Sequence, residues 1–204
     1  MSPTTRPGTP GQTVGPFFGY ALPYPGGEHL VPIGHPGAIR LTGQVLDGAG
    51  NPVPDALLEI WQADEEGRIP QRGGSLRRDG YTFTGWGRSA TDNLGRYSFT
   101  TVFPGAGPTA GVRFIALTVF ARGMLDRLQT RVYLDDGGHS EALDADALLA
   151  ALPEEERRAL IATRDGGEYR FDVVLQGPDA TPFLHYGGSG GSGDDGGTSG
   201  GSAT

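Results

Sequence analysis

The sequence predicts a mostly β chain folded as an antiparallel β-sandwich, and three observations carry that expectation. Between residues 38 and 176, short runs rich in valine, isoleucine, leucine, phenylalanine and tyrosine recur between glycine, asparagine, aspartate and proline punctuation. Several runs alternate apolar with small or polar residues, the period of a strand with one buried face. About seven such runs, with turns this frequent, fit two packed sheets of the transthyretin-like kind.

The elements follow in order. Residues 1–37 are dense in proline and glycine and read as an irregular N-terminal arm rather than a packed element; arms of that kind dangle or wrap a partner. Ile39, Leu41, Gly43 and Val45 alternate along a first strand, Asp47–Pro52 makes a turn, and Ala56–Ala63 forms a second strand. Further strands are expected at Tyr81–Gly87, Arg96–Phe103, Val112–Arg122, Leu125–Leu134 and Glu168–Leu175. In the last of these, Tyr169, Phe171, Val173 and Leu175 share one face. Asp144–Arg164 interrupts the β pattern with two short helices meeting at Pro153, where Glu154–Glu156 complement the positive helix end and Glu154 pairs with Arg158. Gly166–Gly167 ends that segment, which covers one sheet. The β-sandwich domain therefore spans 38–186, and the glycine/serine-rich tail 187–204 is too poor in apolar residues to order itself.

Composition excludes several functions. At 204 residues, one domain with a sizeable core is expected. Cysteine is absent, so disulfides, thiolate metal sites and cysteine nucleophiles are ruled out. The net charge is −8 and all 16 basic residues are arginine, which excludes a catalytic lysine and argues against nucleic-acid binding. No apolar run reaches signal-peptide or membrane-spanning length, so a soluble, cytoplasmic chain is expected. His29, His35, His139 and His185 lack the i+2 or i+4 spacing of a metal pair, and His139-Ser140 has no nucleophile elbow around it.

The turn and strand Thr91-Asp-Asn-Leu-Gly-Arg-Tyr-Ser-Phe99 is explained locally, with turn residues at Asp92 and Asn93 and alternation through Tyr97, Phe99 and Thr101. Combined with Thr9-Pro-Gly-Gln-Thr-Val-Gly-Pro-Phe17 and Leu57-Leu-Glu-Ile-Trp-Gln-Ala-Asp64, it resembles the intradiol ring-cleaving dioxygenases. Phe120-Ala-Arg-Gly123, Gln129–Asp136 and Tyr169-Arg-Phe-Asp172 resemble in particular the non-catalytic alpha chain found in two-chain members of that family. The resemblance covers roughly residues 8–186.

The resemblance implies a ferric centre held by two tyrosines and two histidines, and the matching positions here read Ile69, Gly107, Phe114 and Ala116. Carbon side chains do not serve a hard trivalent metal, so this chain is expected to bind no iron of its own, with Fe(III) residing in a partner beta subunit. A hetero-oligomer of alpha-beta pairs is implied, with the arm packing on the partner and the substrate, 3,4-dihydroxybenzoate, at the interface. By motif, Thr13, Gly15, Pro16 and Arg122 are the substrate-binding residues of this chain. The Gly-Pro pair would give a rigid cavity wall, and Arg122 a fixed positive charge for an anionic substrate or, alternatively, an ion pair with a partner carboxylate. Where the family often carries tyrosine after Gly-Pro, this sequence has Phe17. Trp61 and Trp86 are read as packing residues. A different class of reading is a stand-alone transthyretin-like binding or structural module.

Overall fold

The computed structural model describes residues 12–71, 78–106, 111–135 and 140–184. Among these residues, nine strands form two sheets. The first contains β1 (Ala38–Leu46), β4 (Arg96–Val102), β7 (Thr163–Asp165) and β8 (Glu168–Arg170) in the order β4-β1-β8-β7, with β9 (Val173–Val174) also on β1. The second is antiparallel throughout, β3-β2-β5-β6, from β2 (Leu57–Gln62), β3 (Trp86–Ala90), β5 (Phe114–Phe120) and β6 (Leu128–Tyr133). The expected sandwich is present, and the first sheet is mixed: β8 and β9 run parallel to β1. A tail returning to the first strand in its own direction leaves no mark on residue periodicity, so the sequence could not reveal it.

The core lies between the sheets. Leu41 and Val45 of β1, Leu58 and Ile60 of β2, Phe99 of β4, and Ile115, Leu117 and Val119 of β5 are at most 1% exposed, the inward positions of alternating strands. Gly43, also on β1, lies where Phe171 crosses. A Cβ there would run into the Phe171 carbonyl oxygen, so only glycine fits.

Helices α2 (Ser140–Ala145), α3 (Ala147–Ala150) and α4 (Glu154–Ala159) cover one end of the second sheet, packing Leu143, Leu149 and Leu160 around Val112 and Tyr133. Asp146 caps α3 by accepting from the backbone of Leu148 and Leu149, and Pro153 stands at the N-cap of α4. Glu154 pairs with Arg158 at 3.0 Å, as its spacing predicts.

Three expectations are corrected. Tyr81–Gly87 is not a strand: Asp79 accepts from the backbone of Tyr81 and Thr82 and from the Thr82 hydroxyl, Tyr81 projects into solvent, and pairing starts at Trp86 after a left-handed Gly85. Helix ends before Thr163–Asp165, where Gly166 at φ 61° turns β7 back into β8 as a hairpin. Residues 27–31, read as part of an unpacked arm, are built into the sandwich. The Leu30 amide donates to Thr100, Thr100 to Glu28 and Arg88 to Gly27, while Leu30 and Val31 are buried. Earlier in the N-terminal arm, Phe18–Ala21 forms α1, a single turn. The tail 187–204 lies outside the described residues.

Candidate site on the outer face of the four-stranded sheet

Because Leu58, Ile60, Ile115 and Leu117 point inward, their strand neighbours point out, and the register places these neighbours in two rows across the sheet. Trp86, Trp61, Ala116 and Arg131 form one row, through the pairings Trp86 with Trp61, Trp61 with Ala116 and Ala116 with Arg131. Arg88, Glu59, Thr118 and Gln129 form the next. Ala116 is the smallest member of its row. The gap above it opens a pocket of about 430 Å³, walled by Trp61, Trp86, Phe114 and Ile69.

Two loops close one end of this pocket. Asp64 holds the first by accepting from the amides of Glu66 and Arg68 through Oδ1; burial pushes its carboxyl up, but the Arg68 amide and guanidinium, with the Glu66 amide, hold it below the usual range. Gly67, at φ 82°, lies against the Ala106 carbonyl, and the Gly105 amide donates to Asp64 O at 2.7 Å. The loop carrying Ile69 and the loop leading toward residue 107 are thus locked backbone to backbone.

Charge at the pocket is unevenly satisfied. Glu59 is held by Arg88, whose Nε and Nη2 donate to one Glu59 oxygen at 2.9 and 2.6 Å while Nη1 donates to Leu22 O. The guanidinium of Arg131 lies 4.3 Å from the centre of the Phe114 ring. Its Nη1 donates to the Tyr133 hydroxyl at 3.3 Å, which in turn donates to Asp146 Oδ1 at 2.9 Å. The Tyr133 phenol is pushed up to about 12, chiefly by burial and also by Asp146, against the opposing pull of Arg131.

The positions matching the family's iron ligands are brought together. Ile69, Phe114 and Ala116 all line this pocket, and Gly107 lies outside the described residues. The three side chains end in carbon and offer no donor to a ferric ion, so the residues do not fit that metal. Among the described residues, no three histidine, cysteine, aspartate or glutamate side chains gather as a metal site.

The four residues assigned to substrate binding lie elsewhere. Thr13, Gly15 and Pro16 precede α1, where the Gly15 amide donates to Thr13 Oγ1 at 3.3 Å and Gly15 takes φ 73°. Arg122 follows the far end of β5, six residues beyond Ala116, a span of roughly 20 Å along a strand. It pairs with Asp55 at 2.8 Å within this chain and is 63% exposed. The sequence reading missed Arg131, Gln129 and Thr118 as pocket residues. The available signal was register: once β5 and β6 pair as a hairpin, Arg131 must sit opposite Ala116. Trp61, taken as a packing residue, is 47% exposed beside the pocket.

A two-sheet sandwich with a pocket on the outer face of one sheet, where three positions that the resemblance assigns to iron ligands converge, defines a class, and the comparisons agree with it. A family model described as Dioxygenase matches residues 15–177. The chain belongs to this dioxygenase family, the intradiol ring-cleaving one its motifs resemble. It is 39% identical over 207 residues to the protocatechuate 3,4-dioxygenase alpha chain of Burkholderia cepacia, covering 89% of this chain and 98% of that one. It is 36% identical over 163 residues to the beta chain from the same organism, covering 71% and 67%. Among solved structures, the dioxygenase domain of a carbohydrate-binding fusion from Streptomyces sp. SirexAA-E superposes with a TM-score of 0.54 at 28% identity, over 83% of this chain and 98% of that one. No helix among the described residues is long and apolar enough to cross a membrane.

Proposed function

We propose that this chain is the alpha subunit of a protocatechuate 3,4-dioxygenase, paired with a beta subunit that carries the ferric iron. The observation that carries the reading is the pocket in which Ile69, Phe114 and Ala116 stand together at ligand positions without one donor atom among them. Such a chain keeps the family's scaffold and leaves metal chemistry to a partner. The near full-length identity to an alpha chain, against partial coverage of a beta chain, supports this assignment.

The assembled enzyme cleaves 3,4-dihydroxybenzoate with dioxygen between its hydroxyl-bearing carbons, giving 3-carboxy-cis,cis-muconate in the cytoplasm. This chain contributes wall and charge: Thr13, Gly15 and Pro16 present a rigid backbone edge, and Arg122 presents a guanidinium to the substrate at the alpha-beta interface. Arg122 is exposed, and among the described residues its ion pair is with one carboxylate, Asp55, which supports that role.

The test is iron content and protocatechuate-dependent oxygen uptake, measured for this chain alone and co-expressed with its beta chain. Iron and activity confined to the co-purified complex are expected. Stoichiometric iron in the isolated chain would overturn the assignment, and failure to form any complex would favour a stand-alone binding module.

A further inference from the structure

The Arg88 side chain joins the four-stranded sheet to the N-terminal arm. Its Nη1 donates to Leu22 O at 2.7 Å, and among the described residues this is the one hydrogen bond tying residues 12–22 to the rest of the chain. The other bonds of that stretch are local, from the Gly15 amide to Thr13 and from the amides of Tyr20, Ala21 and Leu22 back to Phe17 and Phe18. Phe18 is buried there, while Val14, Phe17 and Tyr20 are exposed. From Tyr24 onward the arm belongs to the sandwich. The Tyr24 ring stacks on Trp86 with planes 6° apart, the Arg88 amide donates to Gly27 O at 2.8 Å, and Arg78 Nη2 donates to the same carbonyl at 3.2 Å. Leu22 is thus the base of the projecting part of the arm, and Arg88 holds that base.

The Arg88 fork is itself fixed. Nε and Nη2 are committed to Glu59, which stands opposite Arg88 across β2 and β3, and the guanidinium carbon lies 5.0 Å from the centre of the Trp86 ring. A planar guanidinium gripped through two nitrogens points its third in one direction. Leu22 O, just past the last turn of α1, is a carbonyl that the helix leaves without a partner, so it is free to accept. The turn bonds of α1 stiffen the chain leading back to Pro16, Gly15 and Thr13 and pass the direction set at Leu22 on to them.

We propose that Arg88 is a positioning residue, acting through Leu22 and α1 to set the arm at the angle that brings Thr13, Gly15 and Pro16 to the substrate at the alpha-beta interface. The inference rests on the alpha-subunit reading. Loss of the Arg88 anchor displaces one wall of the cavity and leaves the iron-bearing partner as it was, so the effect falls on substrate binding.

In the co-expressed complex, Arg88→Gln is expected to lower kcat/KM for protocatechuate about tenfold, chiefly through KM, with iron content unchanged. Thr13→Ala separates positioning from a general structural role. It is expected to weaken the wild-type complex and to add little once Arg88 is gone, because both changes then act through one displaced arm. Should Arg88→Gln strand the Glu59 carboxylate and fail to fold, the same comparison is made between Glu59→Gln and Glu59→Gln/Arg88→Gln, where no charge is left unpaired. The anchor is also read without a partner. In the isolated chain, Arg88→Gln is expected to speed chymotryptic cleavage after the exposed Tyr20 about tenfold, since opening α1 no longer breaks the bond at Leu22. Unchanged cleavage, unchanged kcat/KM, additive effects of Arg88→Gln and Thr13→Ala, or loss of iron from the variant complex would each overturn the proposal. An inactive wild-type complex would overturn the alpha-subunit reading and with it the role of the arm at a substrate, while the cleavage assay still reports the anchor.

Discussion

Thr101 donates its hydroxyl to the side-chain oxygen of Gln62 at 2.8 Å, a hydrogen bond between the two sheets inside the core. Both residues are nearly or wholly buried. The Gln62 amide nitrogen completes the bridge by donating to the carbonyls of Val102 at 2.9 Å and Ala63 at 3.2 Å. A satisfied buried network of this kind fixes how the sheets sit on each other. Replacing Gln62 by leucine strands the Thr101 hydroxyl and the Val102 carbonyl, and is expected to cost about 1–3 kcal/mol in denaturant unfolding. Adding Thr101→Val should recover part of that loss, because both partners are then apolar. A double mutant less stable than Gln62→Leu alone would contradict the bridge.

Gly43 offers a sharper test of the parallel return of the chain. Its Cα faces the Phe171 carbonyl, and the Tyr97 hydroxyl donates to that same carbonyl at 2.5 Å. A methyl group there must push the segment between β8 and β9 off β1, where the obstacle is backbone and cannot rotate away. Gly43→Ala is expected to destabilise by about 3 kcal/mol or more, at the upper end of single-residue effects. Thermal unfolding within a degree or two of wild type would show that Phe171 does not cross β1 as described.

The sandwich was legible in the sequence where burial is one-sided. Leu41, Gly43 and Val45, and likewise Tyr97, Phe99 and Thr101, announce their strands because each alternates with outward residues. The expected Tyr81–Gly87 strand failed because an aspartate turn at Asp79 imposes a local geometry that an aromatic-rich run conceals. Thr163–Asp165 was hidden differently: all three residues are exposed, so no periodicity marks them, and only pairing across Gly166 makes them a strand. The site divides in the same way. The expectation that carbon side chains stand at the ligand positions came from motif positions, whereas the pocket above Ala116 depends on which residues of β2, β5 and β6 stand opposite one another.

Tyr133 gives the alkaline edge of stability a named contributor. Its phenol is raised from its ordinary value near 10 to about 12, so the folded state holds the proton more tightly than the unfolded chain. The stability this provides is therefore intact below about pH 10 and is lost as pH rises through the folded value near 12. Tyr97, buried and bonded to Phe171, is shifted in the same direction, chiefly by burial. Comparing wild type with Tyr133→Phe between pH 8 and 12, by urea unfolding, should show a shallower alkaline decline in the variant. Parallel pH profiles would remove Tyr133 from that role.

Asp146 connects the helical cover to the sheet, since one oxygen accepts from two α3 amides and from Tyr133. Its replacement by alanine removes an N-cap and leaves the buried hydroxyl of Tyr133 without an acceptor. The expected loss is about 2–4 kcal/mol, from the cap and the unsatisfied hydroxyl together. Asp146→Asn, which keeps an acceptor for all three donors, should retain most of it. Near-equal destabilisation by both would locate the effect in charge rather than in hydrogen bonding.

Arg122 separates stability from the proposed role at the interface. Its pair with Asp55 is solvent-exposed, and such pairs contribute about 0–1 kcal/mol, so Arg122→Ala should unfold almost as wild type. In the co-expressed complex the same change is expected to lower kcat/KM for protocatechuate about tenfold or more, the cost of removing a charged hydrogen bond from an anionic substrate. Asp55→Asn provides the control, because it breaks the same ion pair while keeping the guanidinium. If both variants depress activity equally, the pair itself positions the loop after β5. If only Arg122→Ala does, the guanidinium acts on the substrate, and unchanged activity in both would remove Arg122 from the substrate cavity.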